Sequence, residues 1–509
     1  MHKYAKLTTA AMLGALIMGA ATGCGGKADL IFWSGFGSSY TTAVNSLVDR
    51  YKAVSGVSID NQTQGSYDKL QSNLNNSIST ASYPNFTHGY PDHFAGYIKS
   101  SIQLPLDNYI KAYDAAHGTD LMKDYYAPYM KENMSLMYDA QGNPYVMGLP
   151  FNKSTEVMGY NGYFMDYALK QDSTLKVPET WQELMELGPK FMAVMETLYE
   201  KNLYGIPTAE DPEKFSAYAV GLEAPSPDYE QILDCTKVTK DKFKLMCWDS
   251  TDNMFITIVR QWGGVYTSYS SEDAKKYGHG WAEFYTGENA NKTKAALQAF
   301  KDLYDKDYFG LPGDISDDSY SSTGFKNNQT MFTICSSGGL SYNISTTRFK
   351  LAPIPYNVID GKAQKYVISQ GTNLALLDQG TDVDKQKAFD AMVGISTGDL
   401  QASFAVETGY YPACETATKA AAYQNLLNNK QENPTQRAYQ ESAVLNENYY
   451  MKESEGWEKF VDPGFSGSSA IRAEVKTIMA IVFAGEKDFD TILSESYERI
   501  KAYTHEGQK

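Results

Sequence analysis

Hydrophobic positions along the chain follow two alternating periods. Residues 28–33 (ADLIFW) form a short apolar run of buried-strand length, and residues 41–53 then place Ala43, Val44, Leu47, Val48 and Tyr51 at helical spacing. Val57-Ser58-Ile59 restarts an extended segment, and residues 67–78 are amphipathic again through Leu70 and Leu74. Strand alternating with helix predicts an α/β architecture with a mostly parallel sheet. Helical patterns dominate later, over 181–203, 251–262, 292–304, 385–396 and 471–484, with Gly485 as a stop for the last. No repeat and no low-complexity linker is present, so lobes must be joined by short strands instead of a flexible tether.

Composition narrows the function classes. Of 509 residues, 42% are hydrophobic and 13% aromatic, enough for packed cores and against wholesale disorder. That length suits about two to four domains. With 45 basic and 61 acidic side chains the formal charge is −16, which argues against a nucleic-acid partner because phosphate backbones attract cationic surfaces. Beyond residue 23 no run of 18 apolar residues occurs, so no transmembrane helix is expected. Residues 1–23 read as an export signal, with His2, Lys3 and Lys6 ahead of an apolar stretch ending in small residues. Ala21-Thr22-Gly23-Cys24 looks like a bacterial lipobox, whose cysteine carries a diacylglyceryl group after cleavage. Two acyl chains suffice for stable attachment, so the body is expected outside the cytoplasmic membrane, anchored through Cys24. An ordinary signal peptide with a coincidental cysteine is the alternative. Cys235 and Cys247 flank a lysine-rich segment and read either as a disulfide or as two free thiols. No CxxC or HExxH occurs, and no cofactor or metal is expected. His88 and His93 lie close to Asp92, but without a third placed ligand they read as loop residues.

The densest constellation is Gly148-Leu149-Pro150-Phe151-Asn152-Lys153-Ser154-Thr155, continuing through Tyr160-Asn161 to Val177-Pro178-Glu179-Thr180-Trp181. Pro150 suits an extended crossing strand, and Ser154 and Thr155 supply compact donors and acceptors. Thr180 stands where an N-cap is needed, with Glu183 completing a capping box. This ordered combination resembles the central signature of the extracellular solute-binding proteins (family 1) of ABC importers. The resemblance spans nearly the whole mature chain. FWSGFG from Phe32, Gln64-Gly65-Ser66-Tyr67, Tyr90-Pro91-Asp92, Cys335-Ser336-Ser337-Gly338-Gly339, Gly371-Thr372-Asn373-Leu374 and Thr408-Gly409-Tyr410-Tyr411-Pro412 stand in the family's order.

The resemblance implies a periplasmic-binding-protein-like type II fold: α/β, two lobes with mixed sheets joined by hinge strands. Its expected division is a signal peptide at 1–23, an N-lobe at 24–147 and 366–407, and a C-lobe at 148–365 and 408–509. Within the family the motifs are most similar to those of glycerol-3-phosphate-binding proteins. On that likeness Tyr67 and Asp92 contact the ligand from the N-lobe, and Ser154, Ser336 or Ser337, Tyr410 and Arg472 from the other lobe. Gly371 offers a backbone amide at the rim. A guanidinium at Arg472 would match phosphate oxygens bidentately. Residues 204–219 carry no tryptophan, and extra material lies near 225–249 and 268–279, where the chain departs from those proteins. The function implied is a non-enzymatic, monomeric, lipid-anchored receptor. It captures a small polar solute (a sugar, an oligosaccharide or a glycerol-3-phosphate-like phosphoester) and hands it to ABC permease subunits. The alternatives are a surface-anchored two-carboxylate glycosidase and a lectin-like sugar binder that does not transport.

Overall fold

The computed structural model describes residues 28–200, 239–344 and 349–508. Cys24 with the lipobox, Cys235 and the segment 204–219 therefore lie outside the described residues. The first βαβ passage forms as the pattern predicts. Strand β1 (Leu30–Ser34) buries alternate residues, and the following helix, Ser38–Ser55, buries Val44, Leu47, Val48 and Tyr51 on one stripe. Gly56 ends it in the left-handed region (φ 76°). Strand β2 (Ile59–Thr63) and strand β3 (Phe86–Gly89) both pair in parallel with β1.

The parallel pattern stops at two long strands. Strand β4 (Leu149–Asn161) is buried almost throughout, as a strand covered on both faces must be. With β5 (Lys244–Trp248), the small pair β6 (Thr267–Ser268) and β7 (Trp281–Ala282), β8 (Phe309–Gly310), β9 (Thr330–Ser336), β10 (Phe349–Ala352), the hairpin β11 (Asn357–Ile359) and β12 (Lys362–Gln364), β13 (Tyr366–Leu376) and β14 (Glu458–Phe460), it completes the strand set. The main sheet runs β2-β1-β3-β13-β4-β9-β5-β8, with β10 on β4 and β14 on β13. Strand β13 is antiparallel to both β3 and β4. Strand β4 pairs with β13 from Leu149 to Thr155 and with β9 from Glu156 to Tyr160. One half of β4 thus belongs to each half of the sheet, and the chain crosses between two α/β lobes on β4 and β13.

Three local expectations need correction. The pattern at 471–484 predicts one helix, but the chain forms Ser468–Val475 and Ile478–Ala484. The Thr251 hydroxyl donates to the Lys476 carbonyl (2.8 Å) and the Thr477 hydroxyl to the Glu474 carbonyl (2.9 Å), side-chain bonds that compete with the helical ladder at the break. The second helix does end at Gly485 (φ 70°). His88 and His93 are not loop residues: one is buried in β3, the other in the helix Pro91–Lys99. The Thr180 hydroxyl accepts from the Glu183 amide (3.1 Å), but the Glu183 carboxylate reaches back to the Glu179 amide (2.8 Å). Cys247, Cys335 and Cys414 are buried free thiols. No helix among the described residues is long and apolar enough to cross a membrane.

Candidate functional site

The junction of the two lobes, where the family resemblance places the solute cleft, is built on the middle of β4. Pro150 and Phe151 lead into Asn152, Lys153 and Ser154, and β13 lies alongside with a bulge at Gly371. Gly371 has φ 92°, and a Cβ there would fall on the Asn152 carbonyl, so only glycine lets the two hinge strands approach. Below the cleft floor Lys153 is fully buried and ion-paired with Glu132, while the Asn373 side-chain amide donates to the same carboxylate (2.7 Å). Burial lowers the Lys153 pKa, and Glu132 opposes that shift.

A hydrogen-bond relay ties the N-lobe to this floor. The Gly35 amide donates to His88 Nε2 (2.7 Å), which leaves the ring proton on Nδ1 facing the Thr372 hydroxyl (2.8 Å). Thr372 donates to Asn152 Oδ1, and Asn152 Nδ2 donates to the Tyr67 hydroxyl (3.4 Å). Burial holds the His88 imidazole neutral, with a pKa pushed down to about 3.

Four half-buried tyrosines gather at this junction. Tyr67 opens the helix Tyr67–Ser77, and its ring meets Tyr90 edge-on at 5.3 Å between centroids. Tyr40, from the first helix, lies 5.7 Å from Tyr410 and donates through its hydroxyl to the Gly338 carbonyl of the opposite lobe. Nearby the Tyr342 hydroxyl donates to Ser39 Oγ (2.8 Å). These bonds latch the lobes at one edge, while Gly464 closes against Pro91 and Leu136 at another. Burial raises the pKa of Tyr40, Tyr67, Tyr90 and Tyr410, so all four are neutral phenols with an apolar face and a polar tip.

The charged wall comes from the other lobe. Arg472 Nε pairs with Asp252 Oδ2 at 2.8 Å, and Arg472 Nη2 donates to Asn253 Oδ1. Burial opposes the guanidinium charge, but Asp252 and then Asp92 hold Arg472 protonated. Arg260 pairs with Asp462 (3.2 Å), and Asp462 Oδ2 and the Tyr266 hydroxyl are buried without a partner. Both arginines are thus already matched to carboxylates, and with Asp92 close by the wall has no net positive charge. Open acceptors and donors with aromatic faces suit hydroxyl groups better than an anion, which needs uncommitted cations.

Of the residues singled out in the sequence, Tyr67, Asp92, Tyr410 and Arg472 come together here. Ser154 is buried on β4, and the half-buried Ser336 donates to its hydroxyl across 3.5 Å. Ser337 is buried and accepts from the Thr155 amide (3.1 Å), a structural bond between β4 and the turn after β9. Gly371 lies buried in the hinge with its carbonyl near Lys153 (3.4 Å), not at a rim. Sequence reasoning missed Tyr40, Tyr90, Asp252, Asn253 and Tyr266. Tyr90 stood inside the quoted Tyr90-Pro91-Asp92 motif without a role of its own, and Tyr40 and Asp252 gain theirs from partners hundreds of residues away, Gly338 and Arg472.

Residues 46–431 match the model of the bacterial extracellular solute-binding protein family. No curated protein sequence matches the chain significantly. Solved structures similar to it include UgpB from Mycobacterium tuberculosis in complex with glycerophosphocholine (17% identity, TM-score 0.62, covering 93% of this chain and 97% of that one). MalE from Bdellovibrio bacteriovorus bound to maltotriose is similar at 14% identity and TM-score 0.59, covering 93% and 98%. The cyclic alpha-maltosyl-1,6-maltose binding protein from Arthrobacter globiformis is similar at 15% identity and TM-score 0.62, covering 94% and 99%. At these identities the likeness concerns the fold, and the same two-lobe arrangement crosses between lobes here on β4 and β13. With most of its length inside the family model and its whole architecture shared with such receptors, the chain belongs to the bacterial extracellular solute-binding proteins.

Proposed function

We propose that this protein is the lipid-anchored receptor of an ABC importer, capturing a neutral, hydroxyl-rich solute of the carbohydrate class. The cleft between its lobes is the capture site. In this reading the N-lobe comprises 24–147 and 366–407, the C-lobe comprises 148–365 and 408–509, and closure about β4 and β13 buries the solute. A ligand that contacts both lobes favours the closed form by its difference in affinity for the two forms. One observation carries the choice of a neutral solute: the two arginines of the charged wall are already spent on Asp252 and Asp462. Tyr40, Tyr67, Tyr90 and Tyr410 supply faces for the C–H surface of a sugar ring, and Asp92 and Asp252 supply acceptors for its hydroxyls. Solved receptors of this fold hold maltotriose and glycerophosphocholine, which keeps both chemistries in the test.

A thermal-shift panel of maltotriose, glycerol-3-phosphate and sn-glycero-3-phosphocholine tests the reading. A true ligand at a hundredfold excess over its Kd stabilises the native state by about 2.7 kcal/mol. Stabilisation by the saccharide, weakened by Tyr410→Ala, is expected. Stabilisation by glycerol-3-phosphate alone, abolished in Arg472→Ala, would favour the phosphoester reading instead. Chemical conversion of the saccharide, lost on replacing one acidic residue, would make the protein a glycosidase.

A further inference from the structure

Glu156 lies two residues beyond Ser154 on β4, and nothing in solute capture described so far uses it. Its carboxyl is fully buried. Trp248 Nε1 donates to Oε1 (2.9 Å) and Asn253 Nδ2 donates to the same oxygen (3.2 Å), while Oε2 has no partner. A buried carboxylate charge with one oxygen left without a donor is costly, and protonation removes that charge. Burial accordingly pushes this carboxyl up to about 8, against the pull of its two donors. Asn253 is the link onward. Its amide nitrogen is held by Glu156, and this fixes its oxygen toward Arg472 Nη2, while Asp252, the preceding residue, holds Arg472 Nε.

We propose that Glu156 is a positioning residue for Arg472, acting through Asn253, and that its proton couples solute affinity to pH. This rests on the reading of the cleft as the capture site and adds Arg472, ion-paired with Asp252, to its solute contacts. Neutral Glu156 leaves Asp252 as the only anion directly bonded to the guanidinium. Ionised Glu156 adds a second buried negative charge behind Asn253, which draws the guanidinium back from the cleft.

The other groups facing Glu156 do not titrate in the same range. The Tyr450 hydroxyl donates to the Glu156 carbonyl (3.1 Å), and burial pushes it up, as it does the Cys335 thiol on β9. Burial works against the Asp252 charge, yet Arg472 keeps that carboxyl below its ordinary range.

The test follows the Arg472 Nε–H signal by NMR of the full chain between about pH 6.5 and 9.5, assigned by its loss in Arg472→Lys. A shift with a midpoint near 8 is expected, absent in Glu156→Gln and in Asn253→Ala. In parallel, affinity for maltotriose and for sn-glycero-3-phosphocholine is measured at both ends of that range. Wild-type affinity should fall at least about fivefold toward high pH, the lower end of measured coupling between sites, and stay level in Glu156→Gln. An Arg472 signal that stays flat, or that titrates equally in Glu156→Gln, overturns the inference. A titrating signal with undiminished affinity for both probes in Arg472→Ala instead overturns the reading of Arg472 as a solute contact.

Discussion

Replacing Lys153 by methionine removes one half of the ion pair beneath the cleft. Lys153 is 0% exposed and Glu132 3% at their side chains, so no water is available to take over. In Lys153→Met the Glu132 carboxylate keeps only the Asn373 amide as a donor (2.7 Å). Breaking a buried pair by removing one partner costs about 3–5 kcal/mol, because the remaining charge is uncompensated. Methionine retains most of the apolar stem, so packing changes contribute little to that figure. Against a typical stability of about 5–15 kcal/mol this is a large fraction. Glu132→Gln/Lys153→Met removes both charges and should recover most of the loss. Urea unfolding of the wild type, both single variants and the double variant, followed by tyrosine and tryptophan fluorescence, measures the coupling. A Lys153→Met variant within about 1 kcal/mol of wild type, or a double variant that loses the sum of both singles, would refute the uncompensated-charge argument.

Other expected outcomes bear on the hinge relay and on the anchor. His88 is neutral when folded, with a pKa near 3 against 6.5 unfolded, so the unfolded chain binds a proton first as pH falls. Its contribution is complete above pH 6.5 and is lost below it at up to about 1.4 kcal/mol per pH unit. Thermal midpoints across that window should slope less steeply in His88→Gln, and an unchanged slope would show that other groups govern acid sensitivity. For Cys24, detergent-phase partitioning of the expressed protein should be lost in Cys24→Ala; a variant that still partitions would refute lipid attachment at that residue.

Local order was legible because it depends on near neighbours. Val44, Leu47, Val48 and Tyr51 lie on one helical face whatever the rest of the chain does, and Gly485 stops its helix through its own backbone freedom. The run from Pro150 to Thr155 likewise announced a strand of special chemistry, and with the motifs after it pointed to a two-lobe receptor. The break within 471–484 was not legible, since it depends on a hydroxyl from Thr251, far back in the chain.

The composition of the cleft belongs to tertiary structure alone. Arg472 read in isolation is a free cation suited to phosphate; folded, it is matched by Asp252 and Asn253, 220 and 219 positions earlier. Tyr40 reaches Gly338 across 298 positions, and the two serines at the end of β9 divide into Ser336, facing Ser154, and Ser337, locked against Thr155. Periodicity and turn chemistry travel with a few adjacent residues, so the linear chain already determines them. Charge, by contrast, is defined by whatever lies within a few ångströms, and only folding selects which distant side chains those are.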